Sequence, residues 1–527
     1  MKLYHLRKIR IIVSLLFFIA LLFLFLGIGI KPLHALGEGL LRLQFFPSVL
    51  RFMALFFSVT ALGFVLILVL TWLFGRVYCS SICPLGTFQD IVIAIARLFK
   101  SKKGRRFHYT SNRKRILRYG ILAATIIFWI FGSMLFINLL DPFSNFGKLS
   151  TSLFQPAYIW LNNTLAFTLE SMDVHVLTPQ TMHTLPGDVL LVSGIIFLTI
   201  TTMAAWRGRL FCNTLCPVGS ILGLVSSRSL YRIRFRDEAC TFCKRCERVC
   251  KAECLDSKTK EVDQSRCISC FNCFTACPNQ GLYYANAYAA SEKQNNTPKA
   301  ENANKRRHFL LGFAGGILSL PILKKTIKAQ GRSEPGMIPI DTQRPVSPPG
   351  SISHNHFTAH CIACYRCVGA CPTKVIVPAF FDFGLEGFMQ PKLDFHKNYC
   401  NYDCNDCTKV CPTGAITSQS IEDKKLIKMG EVHFQVESCI VMVDRTDCGA
   451  CSEHCPTKAV QMVPYDDGLF IPEITPELCV GCGACEYACP TTPYKAIYVD
   501  GLPVHTKATP IEETNGPRED DSDDFPF

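Results

Sequence analysis

Four long apolar stretches, separated by polar segments, dominate the first part of the chain. They cover residues 11–30, 52–74, 119–140 and 186–206, and each is close to the ~20 residues that a helix needs to cross the hydrocarbon core of a bilayer. The pattern therefore predicts an α-helical membrane bundle with four spans. After the fourth stretch the apolar runs become short, and groups of cysteines take their place.

Positive charge is distributed unevenly between the polar segments. Lys2, Arg7, Lys8 and Arg10 precede the first stretch, nine Lys or Arg residues lie in 97–115, and Lys148 is the only one in 141–184. Because cytoplasmic loops carry an excess of Lys and Arg, the chain start and 97–115 are predicted to be cytoplasmic, and 141–184 to face the other side. This topology accounts for the basic loop without a nucleic-acid partner.

Four ionisable residues flank the predicted spans, and ionisable groups near a membrane are candidate proton acceptors. We interpret all four as solvated flanks and assign no catalytic residue. They are His34, Glu38, Asp141 and Asp188.

A short motif occurs twice, each time directly after an apolar stretch. It reads GRVYCSSICPLG at 75–86 and GRLFCNTLCPVG at 208–219. The shared Gly-Arg before the cysteines and Pro-x-Gly after them predict two equivalent helix ends around a pseudo-twofold axis. We expect the four cysteines to converge as a further cluster site, a zinc site or redox thiols, the structural alternative being plain buried cysteines. They are Cys79, Cys83, Cys212 and Cys216.

The chain has 29 cysteines. Nine of them lie in 240–277, and eight of these nine have ferredoxin spacing. Three thiolates spaced three residues apart surround one side of a 4Fe-4S cluster, and the fourth usually crosses to the neighbouring cluster. Zinc knuckles would not need the third cysteine. The rule assigns Cys277 to the first set and Cys250 to the second, although Lys251 replaces the usual proline and nearby Cys254 is an alternative ligand. The motif cysteines are Cys240, Cys243, Cys246, Cys250, Cys267, Cys270, Cys273 and Cys277.

A polar linker, rich in Asn, Lys and Glu, leads to a segment that resembles a twin-arginine export signal. This segment, KRRHFLLGFAGGILSLPILKK at 305–325, has Arg306 and Arg307 before a short apolar run. Its alternative is the basic flank of a fifth membrane helix. In either case the remainder of the chain is predicted to lie outside the cytoplasm, with the segment retained as an anchor helix.

Four more cysteine groups follow a Pro-rich connector, and each contains the core CxxCxxxCP. The first and last have regular spacing, whereas the inner two are widened at the front. Sixteen exported cysteines could form disulfides, but disulfide frameworks do not repeat this core, so we predict four further 4Fe-4S clusters and six in all. The groups are Cys361, Cys364, Cys367 and Cys371; Cys400, Cys404, Cys407 and Cys411; Cys439, Cys448, Cys451 and Cys455; and Cys479, Cys482, Cys485 and Cys489.

These motifs divide the chain into predicted parts. The fold class is a membrane α-helical bundle, four spans plus a signal-like anchor helix, with α+β ferredoxin modules of the bacterial 4Fe-4S type. The parts are a membrane module (1–235), a cytoplasmic two-cluster ferredoxin (236–285), a linker (286–304), an anchor (305–330), a connector (331–355), an exported four-cluster ferredoxin (356–505) and an acidic tail (506–527).

The first 285 residues resemble NapH-type membrane proteins, and residues 305–505 resemble NapG or MauM-type exported ferredoxins, so the chain looks like a fusion of the two. The resemblance implies a protein of the bacterial inner membrane that oxidises menaquinol from the quinone pool and passes electrons to a periplasmic terminal reductase. Two alternatives are an assembly or maturation factor for a metalloenzyme and a redox sensor. No Rossmann glycine fingerprint is present, which argues against hydride chemistry.

Overall fold

The computed structural model describes residues 4–27, 37, 39–54, 62–100, 107–109, 115–182, 185–287 and 344–510. We call residues 4–230 the helical module, 231–287 the N-terminal ferredoxin segment and 344–510 the C-terminal ferredoxin segment. The predicted twin-arginine segment, nearly all of the linker, and residues 511–527 of the tail lie outside the described residues, as do His34 and Glu38.

The helical module contains twelve α-helices among its described residues. They are α1 (Tyr4–Leu26), α2 (Phe45–Ala54), α3 (Gly63–Phe74), α4 (Val77–Ser81), α5 (Pro84–Phe99), α6 (Arg115–Ile130), α7 (Leu135–Leu140), α8 (Pro142–Leu149), α9 (Gln155–Glu170), α10 (Gly187–Arg207), α11 (Leu210–Thr214) and α12 (Pro217–Ser226). A π-helical turn, Ser150–Phe154, joins α8 to α9.

Two described helices are long and apolar enough to cross a membrane, His5–Leu26 and Gly187–Arg207. Of the other two predicted spans, residues 119–140 are interrupted between α6 and α7, and residues 52–74 include the end of α2 and helix α3, with 55–61 lying outside the described residues. Gly132 has φ +82° at the break between α6 and α7, a left-handed conformation that ends helices. Four continuous spans are therefore not observed in the described part of the chain.

The predicted loop 141–184 is largely helical. Asp141 is the N-cap of α8, where its carboxylate accepts a hydrogen bond from the Ser144 amide at 2.7 Å, and a proline follows it. Asp141 is only 1% exposed, so the interpretation of this residue as a solvated flank was wrong. Its burial results from a partner surface that lies more than two hundred residues later in the chain. Asp188 is exposed.

The ferredoxin segments consist of short helices and two-stranded antiparallel sheets. In the N-terminal segment, β1 (Tyr231–Phe235) pairs with β4 (Leu282–Asn286), and β2 (Leu255–Asp256) pairs with β3 (Glu261–Val262). Helices α13 (Arg245–Val249) and α14 (Asn272–Ala276) each carry the third cysteine of a motif and lead to its fourth.

The C-terminal segment repeats this design. Its helices are α15 (His354–His360), α16 (Arg366–Ala370), α17 (Asp406–Lys409), α18 (Ile421–Lys425), α19 (Ile440–Val443), α20 (Ala450–Glu453) and α21 (Ala484–Ala488), with a 3-10 turn at Val436–Ser438. The paired strands are β5 (Ile376–Pro378) with β6 (Pro391–Leu393), β7 (Ile427–Phe434) with β10 (Ile497–Lys507), and β8 (Val460–Pro464) with β9 (Phe470–Ile474). Strand β10 thus extends beyond the predicted boundary at residue 505.

The two ferredoxin segments contact opposite ends of α1. Near its start, Arg7 donates to Thr275 Oγ1 at 3.2 Å. At its other end, Arg366 donates to the carbonyl of Leu24. The 23 residues of α1 rise about 34 Å at 1.5 Å per residue. The helical module therefore separates the two ferredoxin segments, while the described residues of all three parts belong to one compact unit.

Candidate iron-sulfur and thiol centres

Every regular cysteine motif holds its backbone in the same uncommon conformation. The second and fourth residues after the first cysteine have positive φ values, between 51° and 76°, in all four motifs. Six of these eight residues are not glycine, and a left-handed conformation costs them about 1–2 kcal/mol each. Alternation of this kind turns successive backbone amides toward one concavity, as in anion and iron-sulfur sites. The residues are Phe242, Lys244, Ser269, Phe271, Ala363, Tyr365, Gly481 and Gly483.

The N-terminal ferredoxin segment brings its cysteines together in two sets. Cys277 joins the first three cysteines of the first motif around a cavity of about 350 Å³, the exchange that the ferredoxin rule predicts. The second cavity, of about 310 Å³, is lined by the first three cysteines of the second motif together with both Cys250 and Cys254. The two sulfurs are 3.6 Å apart, so both candidates for the fourth ligand reach this set.

The C-terminal segment exchanges its fourth cysteines in the same way. Cys371 faces a cavity of about 310 Å³ with Cys400, Cys404 and Cys407. If each motif is assumed to hold its own cluster, the fourth cysteine of each motif is therefore assigned to the wrong set. The reason is geometric: the fourth cysteine lies four residues, or about 6 Å, along a short helix from the third, which carries it toward the neighbouring set.

The remaining sets of the C-terminal ferredoxin segment follow the same rule. Cys489 lines a cavity of about 350 Å³ with Cys439, Cys448 and Cys451. The thiols of Cys361, Cys364 and Cys367 lie close enough to that of Cys411 for their charges to interact. The same holds for Cys479, Cys482 and Cys485 with Cys455.

The chemistry of these sets fits iron-sulfur clusters better than single metal ions. Among the described residues, no three Cys, His, Asp or Glu side chains converge as ligands of one ion. Burial raises the pKa of Cys246, Cys451 and Cys482 to about 12, so thiolates at these positions require bound cations, as coordinated iron supplies. A hydrogen bond with Cys254 lowers the pKa of Cys250 to about 7.

The two CxxxCP motifs have matching backbones. Cys83 and Cys216 have φ, ψ of −69°, 117° and −68°, 117°, and each precedes the proline that opens the next helix. Arg76 and Arg209, at the starts of α4 and α11, have φ, ψ of −72°, 50° and −82°, 40°. This correspondence agrees with the predicted pseudo-twofold relation.

Each of these arginines reaches across to the other motif. Arg76 donates to the carbonyl of Cys212 at 3.1 Å, and Arg209 donates to the carbonyl of Cys79 at 2.9 Å. Arg76 also lies 3.6 Å from the Cys79 sulfur. Both guanidinium side chains are fully buried, a role that the sequence does not reveal.

The four CxxxCP thiols form one group, which we call the central thiol site. Cys83 interacts electrostatically with Cys79 and Cys212, and Cys216 with all three others. All four are at most 4% exposed. Two buried guanidinium groups beside four thiols favour a negatively charged occupant, because opposite charge compensates charge in a low-dielectric interior.

Asp90 connects the central thiol site to the N-terminal ferredoxin segment. Its carboxylate forms ion pairs with Arg10 at 3.1 Å, Arg209 at 2.9 Å and Lys251 at 3.1 Å. Lys251 is the residue that replaces the expected proline after Cys250. The departure from the ferredoxin pattern therefore supplies a charge that fastens the ferredoxin segment to the helical module.

A layer of buried polar side chains lies on the side of the central thiol site that faces the C-terminal ferredoxin segment. Asp141 Oδ1 and five other side-chain oxygens in this layer have no hydrogen-bond partner among the described residues. Lys148, fully buried, donates to the carbonyl of Asn138. The layer comprises Asn138, Asp141, Ser144, Asn145, Lys148, Ser150, Thr151 and Gln155.

This polar layer contacts both the central thiol site and the thiol set that begins at Cys361. Ser144 Oγ donates to the carbonyl of Ile362 at 2.6 Å. Gly147 lies so close to Cys364 that a Cβ there would be 2.1 Å from its carbonyl oxygen. On the other side, Tyr78 interacts electrostatically with both Cys83 and Asp141.

Family comparisons agree with this description. A 4Fe-4S binding domain model matches residues 54–106 and 189–236, and thus covers both CxxxCP motifs. A 4Fe-4S dicluster domain model matches 360–415 and 444–492, and another 4Fe-4S binding domain model matches 259–286. The predicted 4Fe-4S ferredoxin domains are therefore confirmed.

Several curated proteins are similar to parts of the chain. An uncharacterized protein of Methanocaldococcus jannaschii is 25% identical over 42% of this chain and 69% of its own length. Ferredoxin-type protein NapH of Haemophilus influenzae is 27% identical over 44% of this chain and 70% of its own. Ferredoxin-type protein NapG of Escherichia coli is 31% identical over 24% and 54%. No solved structure matches the chain significantly. The chain is an iron-sulfur protein related to these ferredoxin-type proteins.

Proposed function

We propose that the protein carries electrons across a membrane between its two ferredoxin segments, oxidising menaquinol and delivering the electrons to an exported reductase. The observation that carries this proposal is the location of the central thiol site, between two ferredoxin segments that contact opposite ends of α1. Clusters of the 4Fe-4S type supply one-electron transfer when they are bound.

The thiol sets support the proposal because contacts link them in one series. Arg76 touches both the central thiol site and the carbonyl of Ser265, at 3.1 Å, in the loop before Cys267. On the other side, the buried polar layer reaches the loop that carries Cys361 and Cys364. Within the C-terminal segment, the amide of Cys400 donates to the carbonyl of Cys482 at 3.0 Å, which joins the next two sets.

The surface of the helical module supports a membrane location. Large apolar side chains point outward on α6, α9 and α10, where Ile130, Phe167 and Leu198 are 75%, 74% and 66% exposed. Exposed apolar area of this kind marks an interaction surface, and lipid fits the hydropathy of α1 and α10. By the charge rule, the N-terminal ferredoxin segment is cytoplasmic and the C-terminal segment periplasmic, in the inner membrane of a bacterium.

The buried polar layer supports quinol oxidation near the C-terminal segment. Quinol releases protons as it gives up electrons, and ionisable residues inside a membrane protein are functional candidates. One carboxylate oxygen of Asp141 has no hydrogen-bond partner within the described part of the chain, and the π-helical turn beside the layer is a feature frequent at functional sites. We infer that Asp141 accepts a quinol proton close to the Cys361 set.

Proteoliposomes test the transfer directly. Wild-type protein should carry electrons from a reduced viologen trapped inside the vesicles to an impermeant external acceptor. Cys79→Ser and Cys212→Ser should each slow this transfer at least tenfold, and the double variant should add little, because groups that act as one unit are not additive.

Ser81→Ala is the matched control, since Ser81 is buried in the same turn and contributes no thiol. All variants should retain the ferredoxin clusters by electron paramagnetic resonance. Normal transfer in both cysteine variants would contradict the proposed route.

Quinol oxidation is tested separately. Asp141→Asn should slow reduction of the clusters by a menaquinol analogue while leaving viologen-driven transfer unchanged. Loss of both activities would assign Asp141 to the fold and not to proton transfer.

Topology is tested by reporters. A reporter after residue 290 should behave as cytoplasmic and one after residue 505 as exported. Identical behaviour of the two would contradict transfer between two compartments.

A further inference from the structure

A cavity of about 550 Å³ lies between the helical module and the N-terminal ferredoxin segment. Its walls come from the start of α6, the end of α10, α11, and the two ferredoxin loops around residues 252 and 265. Among the described residues, six that line it carry positive charge, and Glu253 supplies the one lining carboxylate. The cations of this basic cavity are Arg115, Arg118, Arg207, Arg209, Lys251 and Arg266.

The carboxylates around the basic cavity do not match its positive charge. Glu253 pairs with Arg207 at 2.7 Å, and Asp263 pairs with Arg266 at 2.7 Å. The other two cations of the cavity that form ion pairs, Arg209 and Lys251, both pair with Asp90. Asp90 does not line the cavity and also pairs with Arg10.

Two cations of the cavity form no ion pair among the described residues. Arg115 lies over the ring of Tyr119. Arg118 is 4% exposed and donates to the carbonyls of Gly219 at 2.8 Å and Ser265 at 3.1 Å. Because grouped cations repel one another and a buried charge is costly without a counter-charge, the cavity favours an anionic ligand.

We propose that the basic cavity binds the phosphate group of an anionic ligand, and that this ligand is a membrane phospholipid. Guanidinium groups present a planar fork that binds phosphate oxygens in pairs.

The position of the cavity favours a lipid headgroup over a soluble phosphate. Ile116 and Leu117, next to Arg115, are 81% and 53% exposed, and Trp206, next to Arg207, is 70% exposed. Tryptophan and basic residues together mark the level of the headgroups, and basic pockets between helices on the cytoplasmic side bind anionic lipids. Acyl chains could then lie along the apolar surface of α6.

A bound headgroup would connect two parts of the protein. Arg115 and Arg207 belong to the helical module, whereas Lys251 and Arg266 belong to the N-terminal ferredoxin segment. The lipid would therefore stabilise the docking of this segment, whether or not the protein transfers electrons. The inference rests on the membrane location and orientation proposed above, but not on the proposed electron transfer or quinol oxidation.

Ligand binding can be measured on the full chain after delipidation in a neutral detergent. Short-chain phosphatidylglycerol should raise the midpoint of thermal unfolding in a saturable way, because a ligand that binds the folded state stabilises it. Phosphatidylcholine of the same chain length should not. Native mass spectrometry should detect phosphatidylglycerol on the wild-type protein.

Arg115→Gln should weaken the affinity for phosphatidylglycerol at least tenfold, and Arg115→Gln with Arg207→Gln should weaken it further. Arg228→Gln is the matched control, because Arg228 is exposed, follows α12 at the same end of the module and does not line the cavity. Unchanged cluster spectra show that the variants are folded.

Stabilisation by inorganic phosphate alone, equal to that by the lipid, would overturn the lipid assignment. Equal effects of phosphatidylglycerol and phosphatidylcholine would overturn the assignment to an anionic lipid, and an Arg115→Gln variant with wild-type affinity would overturn the phosphate site itself.

Discussion

Replacing Asp90 by Asn removes the carboxylate that neutralises three cations at the junction of the helical module and the N-terminal ferredoxin segment. The side chains of Arg209, Arg10 and Lys251 are 0%, 6% and 12% exposed. Asparagine keeps the shape of the side chain, so the substitution changes charge without opening a cavity. The three cations would remain buried with no partner at this position.

The magnitude follows from that burial. Removing one partner of a buried ion pair costs about 3–5 kcal/mol, because the remaining charge is left uncompensated. At about 2–4 °C per kcal/mol for units of 150–250 residues, the unfolding midpoint should fall by roughly 6–20 °C. The midpoint can be followed by intrinsic fluorescence in detergent, under anaerobic conditions.

Asp382→Asn provides the matched control. Asp382 pairs with Lys392, but both side chains are about one-third exposed, and an exposed pair contributes about 0–1 kcal/mol. Lys251→Met should partly rescue Asp90→Asn, with a coupling of about 1–3 kcal/mol, because it removes one uncompensated charge. Equal midpoints for the Asp90 and Asp382 variants would refute the reasoning.

Three further predictions concern composition, pH and packing. Six thiol sets of four imply about 24 iron atoms per chain in the ferredoxin segments, and half that iron in anaerobically prepared protein without cluster loss would contradict the sets. Burial lowers the pKa of His505 from 6.5 to about 4, so the unfolded chain takes up the proton first and stability falls as pH drops from 6.5 toward 4. Between pH 7.5 and 5.5 the free energy of unfolding of the wild type should fall by up to about 1.4 kcal/mol more than that of His505→Gln. The unfolding midpoints of both proteins at the two pH values measure this difference, and parallel pH profiles would contradict it. A Cβ at Gly219 would lie 2.2 Å from the Cys212 carbonyl oxygen, so Gly219→Ala should lower the yield of folded protein. The control is Gly194→Ala, because a Cβ at Gly194 would have nothing within 4 Å. This variant should be neutral or stabilising by up to about 1 kcal/mol in thermal unfolding.

The cysteine patterns were informative because cluster ligands are set by local spacing. The ferredoxin rule predicted that Cys277 would join the first set and Cys250 the second, and the structure brings both to these cavities. The C-terminal ferredoxin segment needed the same rule, but the widened motifs around Cys400 and Cys439 obscured the exchange. Spacing alone also leaves Cys254 undecided, since its approach to Cys250 depends on a turn of the chain.

The charged residues behaved differently, because their roles depend on distant partners. Asp90 lies on a helix with an apolar face, where one acidic residue is typical of a solvated position. Its three partners come from α1, the start of α11 and the ferredoxin segment. Asp141 is similar: its local sequence predicts a helix cap, whereas its burial requires residues near Ile362.

Hydropathy predicted the location of apolar sequence better than the continuity of helices. A window average measures composition, and residues 119–140 are apolar throughout. The left-handed Gly132 divides them nonetheless, since one residue with positive φ ends a helix. The same average gives no signal for α9, which lies in a predicted loop and exposes Trp160 and Phe167.

The two ferredoxin segments are attached to the helical module by different chemistry. The N-terminal segment is held by charge, through Lys251 and Asp90. The C-terminal segment is held largely by neutral hydrogen bonds and close backbone approach, as between Asn138 and the carbonyl of Phe388 at 2.9 Å and between Gly147 and Cys364. Neutral contacts gain little in water on their own, but a covalent connection raises the effective concentration of the C-terminal segment at its docking surface. The covalent connection therefore suits this interface, where most of the contacts described above are neutral and the charged exception is Arg366 on the carbonyl of Leu24.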